Sequence, residues 1–539
     1  MLKVRQSLGE SLVEAGMITA DQLAKAQAEE KRTSHRLLKV LVKMNLVTEE
    51  DLVVFLSGKL GIPRIELANY LIDPAVIELV PESFARKHDL IPVLKIGNRL
   101  TCALVDPWNV FVLDELRIKT KLTIEPAVAT GAEIKKAIEE HYGAKETMEE
   151  LLRSIGDEKP GLETGGDETD PRKLEGIVKE PAVIKLVNLI ILQAVKQGAS
   201  DIHLEPEEDR LKIRFRVDGM MHEVPSPPNH LKSAVVSRIK ILANLNIAER
   251  RLPQDGRFSL KIESREIDIR VSAMPTIYGE NVVLRLLDPS SALLSLSQIG
   301  FPREILEKYG TLIRRPYGII LVTGPTGSGK TTTLYASLDK INSVEKNIIT
   351  IEDPVEYRLS GIRQTQVNPK VNLTFANGLR SILRQDPDIL MVGEIRDRDT
   401  CEIAIQAALT GHLVFSTLHT NDAAGAITRM IDMGAEPFLI ASSVIGILAQ
   451  RLVRKVCQDC RGKGCPKCLK TGYRGRIGIY ELLIPDEKVR SLTVAKAGVD
   501  EIRKYVRSTG MTTLKENGMH QAKAGVTTPE EVLRVTQEE

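Results

Sequence analysis

The sequence predicts a multidomain α/β protein, and three observations carry that reading. The 539 residues exceed what one hydrophobic core accommodates, so three or four domains of about 150 residues are expected. The first 60 residues repeat themselves with helical patterning. From about residue 300 onward, short apolar runs ending in polar loops alternate with helical segments. That alternation indicates a largely parallel sheet covered on both faces.

The elements follow in chain order. "SLGESLVEAGMITADQLAKA" (7–26) aligns with "RLLKVLVKMNLVTEEDLVVF" (36–55) at a period of 29. Each copy reads as helix, turn at Gly16 or Asn45, then a second helix opened by Thr19 or Thr48. Gln22 and Asp51 lie three residues later, as helix caps require. Residues 61–143 mix strand-like "LIPVLKIG" and "RLTCALVD" with helical "GAEIKKAIEEHYG" and complete an N-terminal domain over 1–143. Residues 144–172 are acidic, rich in glycine and proline, and read as a flexible linker. Residues 173–295 form a second α/β domain, with a hairpin turn at Asp218-Gly219. Residues 296–539 carry "GIILVTG", "NIITIED", "DILMVGE" and "HLVFSTL", the strands of the parallel sheet. In such sheets ligands bind beyond the carboxyl ends of the strands.

Composition limits the function. A net charge of +2 and 4% aromatic residues argue against a nucleic-acid binder, which carries a basic excess and stacking platforms. "FLIASSVIGILA" (438–449) is too short to span a bilayer and reads as a buried helix. The amino terminus lacks the apolar segment of a signal peptide. A cytoplasmic protein with at most peripheral membrane contact is expected. Four of the six cysteines cluster at 457–468, which points to metal before disulfide.

The chemistry begins at "GPTGSGKT" (324–331), a P-loop. Gly324, Pro325, Thr326, Gly327, Ser328 and Gly329 would wrap the phosphates. Lys330 would reach the β- and γ-phosphates, and the Thr331 hydroxyl would ligate Mg²⁺. Thr331 and Thr332 open the helix whose positive end faces the phosphates. In "NIITIEDPVEY", Glu352, Asp353 and Glu356 crowd a strand end, where a carboxylate can orient the attacking water or hold the ion's hydration shell. A solvated turn at Asp353-Pro354 is the alternative. Glu394 ends "DILMVGE" in the second acidic strand position, with Gly393 where an aspartate is usual. His412 and His419 flank the next strand, either as structural residues or as γ-phosphate sensors. Arg380 and Arg384 lie one helical turn apart, and Arg270 and Arg285 lie in strands of the preceding domain. Each is a solvated charge or an arginine that completes a phosphoryl-transfer site. "CQDCRGKGCPKC" presents C-x₂-C-x₄-C-x₂-C at Cys457, Cys460, Cys465 and Cys468, either a tetrahedral zinc site or reduced thiols.

Together "GPTGSGKTTTLY", "IEDPVEY", "RSILRQDPDILMVGEIRD", "GHLVFSTLHTNDA", "GYRGRIGIYE", "SDIHLEPEEDRLKIRFRVDGMMHEV" and "LPQDGRFSL" resemble the ATPases of type II secretion and type IV pilus assembly. Within that family the sequence most resembles a pilus assembly ATPase, and the resemblance is strong over about 180–485. It implies a RecA-like P-loop ATPase domain preceded by a PAS-like α/β domain. It implies a homohexamer that moves a pilus or pseudopilus through an inner-membrane platform protein, at the cytoplasmic side of that membrane. It makes Glu394 the Walker B acid, Glu356 the catalytic carboxylate, and His412 and His419 a His box. Arg270 and Arg285 become nucleotide-contacting arginines, and Cys457–Cys468 a zinc motif with a short central spacer. ATP, Mg²⁺ and Zn²⁺ are the implied ligands. The 7–59 repeat resembles a family domain that can bind cyclic di-GMP. Leu38, in place of the second copy's glycine, adds a side chain where backbone should approach the dinucleotide. Docking to the cytoplasmic part of a membrane-anchored partner is the expected role instead. A shorter pilus-retraction motor and a nucleotide-regulated scaffold are the competing readings.

Overall fold

The structure is a computed structural model that describes residues 8–33, 37–107, 109–142, 181–262, 265–288 and 294–536. The expected linker, 144–172, lies outside the described residues. The chain divides into two compact units, 1–288 and 289–539.

The first unit opens with two helical hairpins, Leu8–Glu14 with Ala20–Thr33, and Leu37–Lys43 with Glu49–Leu60. Gly16 and Asn45 turn the chain with φ of 71° and 53°. Thr19 and Thr48 accept hydrogen bonds from the backbone N–H of Gln22 and Asp51 at 3.3 and 3.1 Å. Repeat-related Leu12 and Leu41, Ile18 and Val47, and Leu23 and Leu52 share one core. At Gly9 a Cβ would lie 2.5 Å from Leu23 Cδ1, so this glycine serves close helix packing, and Leu38 is buried in the same core.

A three-stranded sheet follows, with Leu90–Ile96 antiparallel to Arg99–Leu104 and Thr123–Val128 parallel to it. Thr130 and Glu133 form a capping box that starts the helix Gly131–His141. This domain also lends a strand to the next one. Tyr70–Leu71 pairs in parallel with Lys261 and Ile262, at the edge of a seven-stranded sheet. The sheet continues through Gln254–Ile262, Arg265–Thr276, Gly279–Leu287, Ala199–Pro206, Leu211–Val217 and Met220–Val224. Asp218 and Gly219, with φ of 49° and 86°, make the expected hairpin turn. Helices Pro181–Lys196 and Lys232–Leu242 bury their apolar sides in the core of this sheet, against Ile267, Ile269, Val271 and Leu284.

The second unit is a RecA-like seven-stranded sheet. Its order is Arg363–Gln366, Ile348–Glu352, Ile389–Val392, Leu413–Leu418, Gly318–Thr323, Val444–Val456 and Tyr473–Leu483. The first six strands are parallel, and the last is antiparallel. Both faces are covered. On strand Gly318–Thr323, Ile319 and Leu321 enter one core, and Ile320 and Val322 enter the other. A strand apolar on both sides reads as an unbroken run, which is why periodicity alone does not orient it.

The segment 438–449 departs from the helix expected there. Helix Pro437–Ser443 ends before Val444, and Val444–Val456 is a 13-residue strand. The β-branched Val444, Ile445 and Ile447 favour extended backbone, and pairing on both sides decides the outcome.

Candidate active site

The P-loop leaves strand Gly318–Thr323 at Gly324, where a Cβ would sit 2.6 Å from both the Gln450 carbonyl oxygen and Ser328 Oγ. Only glycine fits this approach. Ser328 Oγ is buried without a hydrogen-bond partner among the described residues, inside the turn a phosphate would fill. Gly329, with φ of 87°, starts the 12-residue helix Lys330–Ile341. The exposed Pro325, Thr326 and Gly327 form the tip of the loop, and Thr331 and Thr332 are half-buried in the first helical turn.

Lys330 Nζ donates to the carbonyls of Gly324 and Pro325 at 2.8 and 3.2 Å. Burial lowers its pKa from 10.5 to about 8; Glu394 opposes the shift and Arg451 adds to it. Glu394, almost fully buried beyond the strand Ile389–Val392, receives Arg396 Nε at 2.5 Å, and His419 Nε2 lies at 3.5 Å. His419 titrates below its ordinary value because burial, then Lys330, disfavour the imidazolium. Burial and the Lys330 ammonium thus weaken the ion-pair character of the His419–Glu394 contact. Gly393 has a packing reason: a Cβ there would meet Glu352 Cα at 3.3 Å and Ile351 O at 3.4 Å.

His412 is placed differently. It precedes the amino end of strand Leu413–Leu418, whereas His419 follows its carboxyl end. Six strand residues span about 20 Å. Its Nδ1 lies 2.9 Å from the Ala407 carbonyl oxygen and 3.2 Å from Thr410 Oγ1, so it secures the turn after helix Arg398–Leu409. Of the two histidines, His419 is the one that lies beside Glu394.

Glu352 is buried, with both oxygens engaged: Thr350 Oγ1 donates at 2.5 Å, Gln364 Nε2 at 3.1 Å, and the Tyr335 hydroxyl also donates. Burial raises its pKa. Asp353 is exposed and Glu356 half-buried, on the loop that follows. Arg380 and Arg384 stand exposed at helix Phe375–Ile382. Arg380 pairs with Asp399 at 3.3 Å, and Arg384 donates to the Arg380 carbonyl at 2.8 Å. Neither has a described contact with the P-loop.

The sheet of the first unit aligns a charged row. Arg257 is register-paired with Arg270, Arg270 with Arg285, Arg285 with Asp201, and Asp201 with Arg216. Residues paired across strands point to one face, so the expected Arg270 and Arg285 share theirs with Arg257. Arg285 Nε lies 3.0 Å from Asp201 Oδ1.

Three residues near the P-loop escaped the sequence reading. Gln450, fully buried, donates to the Ser328 carbonyl at 2.6 Å and accepts from Thr333 Oγ1 at 2.7 Å. Arg451 donates to Asn421 O at 2.8 Å. Tyr335 is buried on the P-loop helix. The available signal was the polar pair Gln450-Arg451 inside the apolar run "IGILAQRLV".

The four expected cysteines converge. Their sulfurs lie within 4.8 Å of one another, with separations of 3.6, 3.8 and 4.0 Å across three pairs. Sulfurs about 2.3 Å from a tetrahedral ion stand roughly 3.8 Å apart. Backbone N–H groups of Gly464 and Cys465 donate to Cys460 and Cys468 sulfurs at 3.2 and 3.1 Å. This donor set fits a zinc ion.

The model of the Type II/IV secretion system protein family matches residues 178–534. The chain belongs to that family. A model of the MshEN domain matches residues 60–148, beyond the helical repeat. The Type IV pilus assembly ATPase PilB of Myxococcus xanthus is 43% identical, with 98% of each chain covered. Type II secretion system protein E of Xanthomonas campestris is 42% identical, again over 98% of each chain. The ATPase DotB of Yersinia pseudotuberculosis is 23% identical, with a TM-score of 0.53 over 66% of this chain and 94% of that one. Its likeness supports the RecA-like fold. The chain is thus an ATPase of the secretion and pilus assembly family. Among the described residues of the ATPase, no helix is long and apolar enough to cross a membrane.

Proposed function

We propose that the ATPase is the motor subunit of a homohexamer that drives assembly of a type IV pilus or type II secretion pseudopilus. It would act at the cytoplasmic face of the inner membrane, through a platform protein. The N-terminal domain would dock to the cytoplasmic part of a membrane-anchored partner. The observation that carries this reading is the convergence of Lys330, Glu394 and His419 beside the P-loop, while Arg270 and Arg285 sit in the other unit.

In this reading the P-loop amides and Lys330 bind the β- and γ-phosphates. Mg²⁺, held by the Thr331 hydroxyl and near Glu394, would neutralise the phosphate charge. Glu356 orients a water for attack on the γ-phosphorus and takes its proton as the bond to ADP breaks. His419 donates to the γ-phosphate and reports its loss to Glu394. Arg270 and Arg285 of an adjacent copy stabilise the charge on the transferring group. Hydrolysis removes the contacts that hold a closed arrangement, and the domains rotate. Cys457, Cys460, Cys465 and Cys468 would hold one structural zinc.

The test is turnover against protein concentration, with Arg270→Ala and Arg285→Ala alongside. An arginine acting in trans contributes about 10³–10⁵ in rate, so both variants should lose at least a hundredfold in kcat. Specific activity should also rise with concentration as rings assemble. Full activity from dilute monomers, or from both variants, would refute the reading.

A further inference from the structure

Tyr335 lies five residues beyond Lys330, on the helix that the P-loop starts. It is fully buried, and its hydroxyl meets three groups on other elements. It donates to the Glu352 carboxylate at the end of strand Ile348–Glu352. It accepts from the Glu356 backbone N–H at 3.4 Å and from Gln364 Nε2 at 3.4 Å. The ring packs edge-on against Tyr357, with centroids 4.5 Å apart. Gln364 in turn donates to the Tyr357 carbonyl at 3.1 Å and accepts from Leu359 N–H at 2.7 Å.

We propose that Tyr335 is a positioning residue for hydrolysis, tying the phosphate-binding helix to the loop that carries Glu356. This rests on the reading of Glu356 as the catalytic carboxylate. A Phe ring would fill the same volume, so packing alone does not explain a hydroxyl here. The hydroxyl bridges a fixed carboxylate on one side and the Glu356 backbone on the other. Because it is rooted in the helix that starts at Lys330, it fixes the Glu356 loop relative to the bound phosphates. Reacting groups must be placed to within a fraction of an ångström, and displacement by about 1 Å can cost 10²-fold in rate.

The experiment compares steady-state ATP hydrolysis by the full-length protein with Tyr335→Phe, Gln364→Met, Thr350→Val and Glu356→Gln. Thr350→Val is the control: it removes a hydrogen bond from the same Glu352 carboxylate without touching the loop. Tyr335→Phe and Gln364→Met should lower kcat about tenfold with KM for ATP within twofold, the signature of an interaction that acts beyond ground-state binding. Thr350→Val should keep kcat within about twofold. Hydrogen exchange of the 353–359 segment should speed up in Tyr335→Phe at unchanged affinity for a non-hydrolysable ATP analogue. Unchanged kcat in Tyr335→Phe overturns the proposal, as does an equal loss in Thr350→Val. If Tyr335→Phe fails to fold, unchanged kcat in Gln364→Met overturns it alone. Full turnover by Glu356→Gln instead overturns the underlying assignment of Glu356.

Discussion

Gln450 and Ser328 stand 122 positions apart in sequence, and the Gln450 amide donates to the Ser328 carbonyl at 2.6 Å. The same side chain accepts from Thr333, so one buried amide fixes the P-loop and the first turn of its helix to the neighbouring strand. Replacing it with Leu leaves the Ser328 carbonyl and the Thr333 hydroxyl short of partners, at about 1–3 kcal/mol for each buried group. Gln450→Leu is expected to lower the thermal unfolding midpoint and to weaken ATP binding at least about tenfold by fluorescent-nucleotide titration. Unchanged affinity would show that the loop holds its shape unaided.

Lys330 gives a pH signature. Its folded pKa, about 8, lies below the 10.5 of the unfolded chain. Below about 8 both states are protonated. Between 8 and 10.5 the unfolded state binds the extra proton, so this group makes stability rise with pH across that window. Bound phosphates favour the ammonium and restore the proton. ATP binding at pH 8.5 should therefore take up protons, seen by calorimetry as a heat that changes with the buffer's ionisation enthalpy. Lys330→Met should abolish the buffer dependence.

The cysteine cluster predicts metal content. The purified protein should carry about one zinc per chain. Cys460→Ser should release it and lower the unfolding midpoint, because binding energy for a structural zinc is folding energy. Elemental analysis and thermal scans read both effects. Full stability in a zinc-free Cys460→Ser protein would contradict a structural ion.

Lys240 and Glu280 form a buried pair in the first unit, with Nζ to Oε1 at 2.7 Å and a second bond from Nζ to the Glu249 carbonyl at 2.7 Å. Lys240→Met leaves a buried carboxylate without its cation and should cost about 3–5 kcal/mol. The double variant Lys240→Met/Glu280→Leu should recover most of that loss. Denaturant unfolding of the four proteins in the cycle measures the coupling. Loss in the double variant as large as in Lys240→Met would mean that the bond to Glu249 dominates.

The sequence by itself determined whatever is local. Phosphate-binding glycines, the lysine and the helix start are contiguous, because one turn of backbone makes the cradle. Paired C-x-x-C knuckles, the helical repeat and four of the sheet strands were legible for the same reason: their chemistry or periodicity fits inside a short window. Segment 438–449 was not, since an apolar run of that length suits helix and strand alike until neighbours claim its backbone. Only the tertiary structure decided which of the two histidines flanking that strand lies beside Glu394, separating His419 from His412. It alone aligned Arg257 with Arg270 and Arg285, because strand register is fixed by pairing. It alone brought Gln450 and Tyr335 to the P-loop and its neighbouring loop, through contacts between segments that no local window contains.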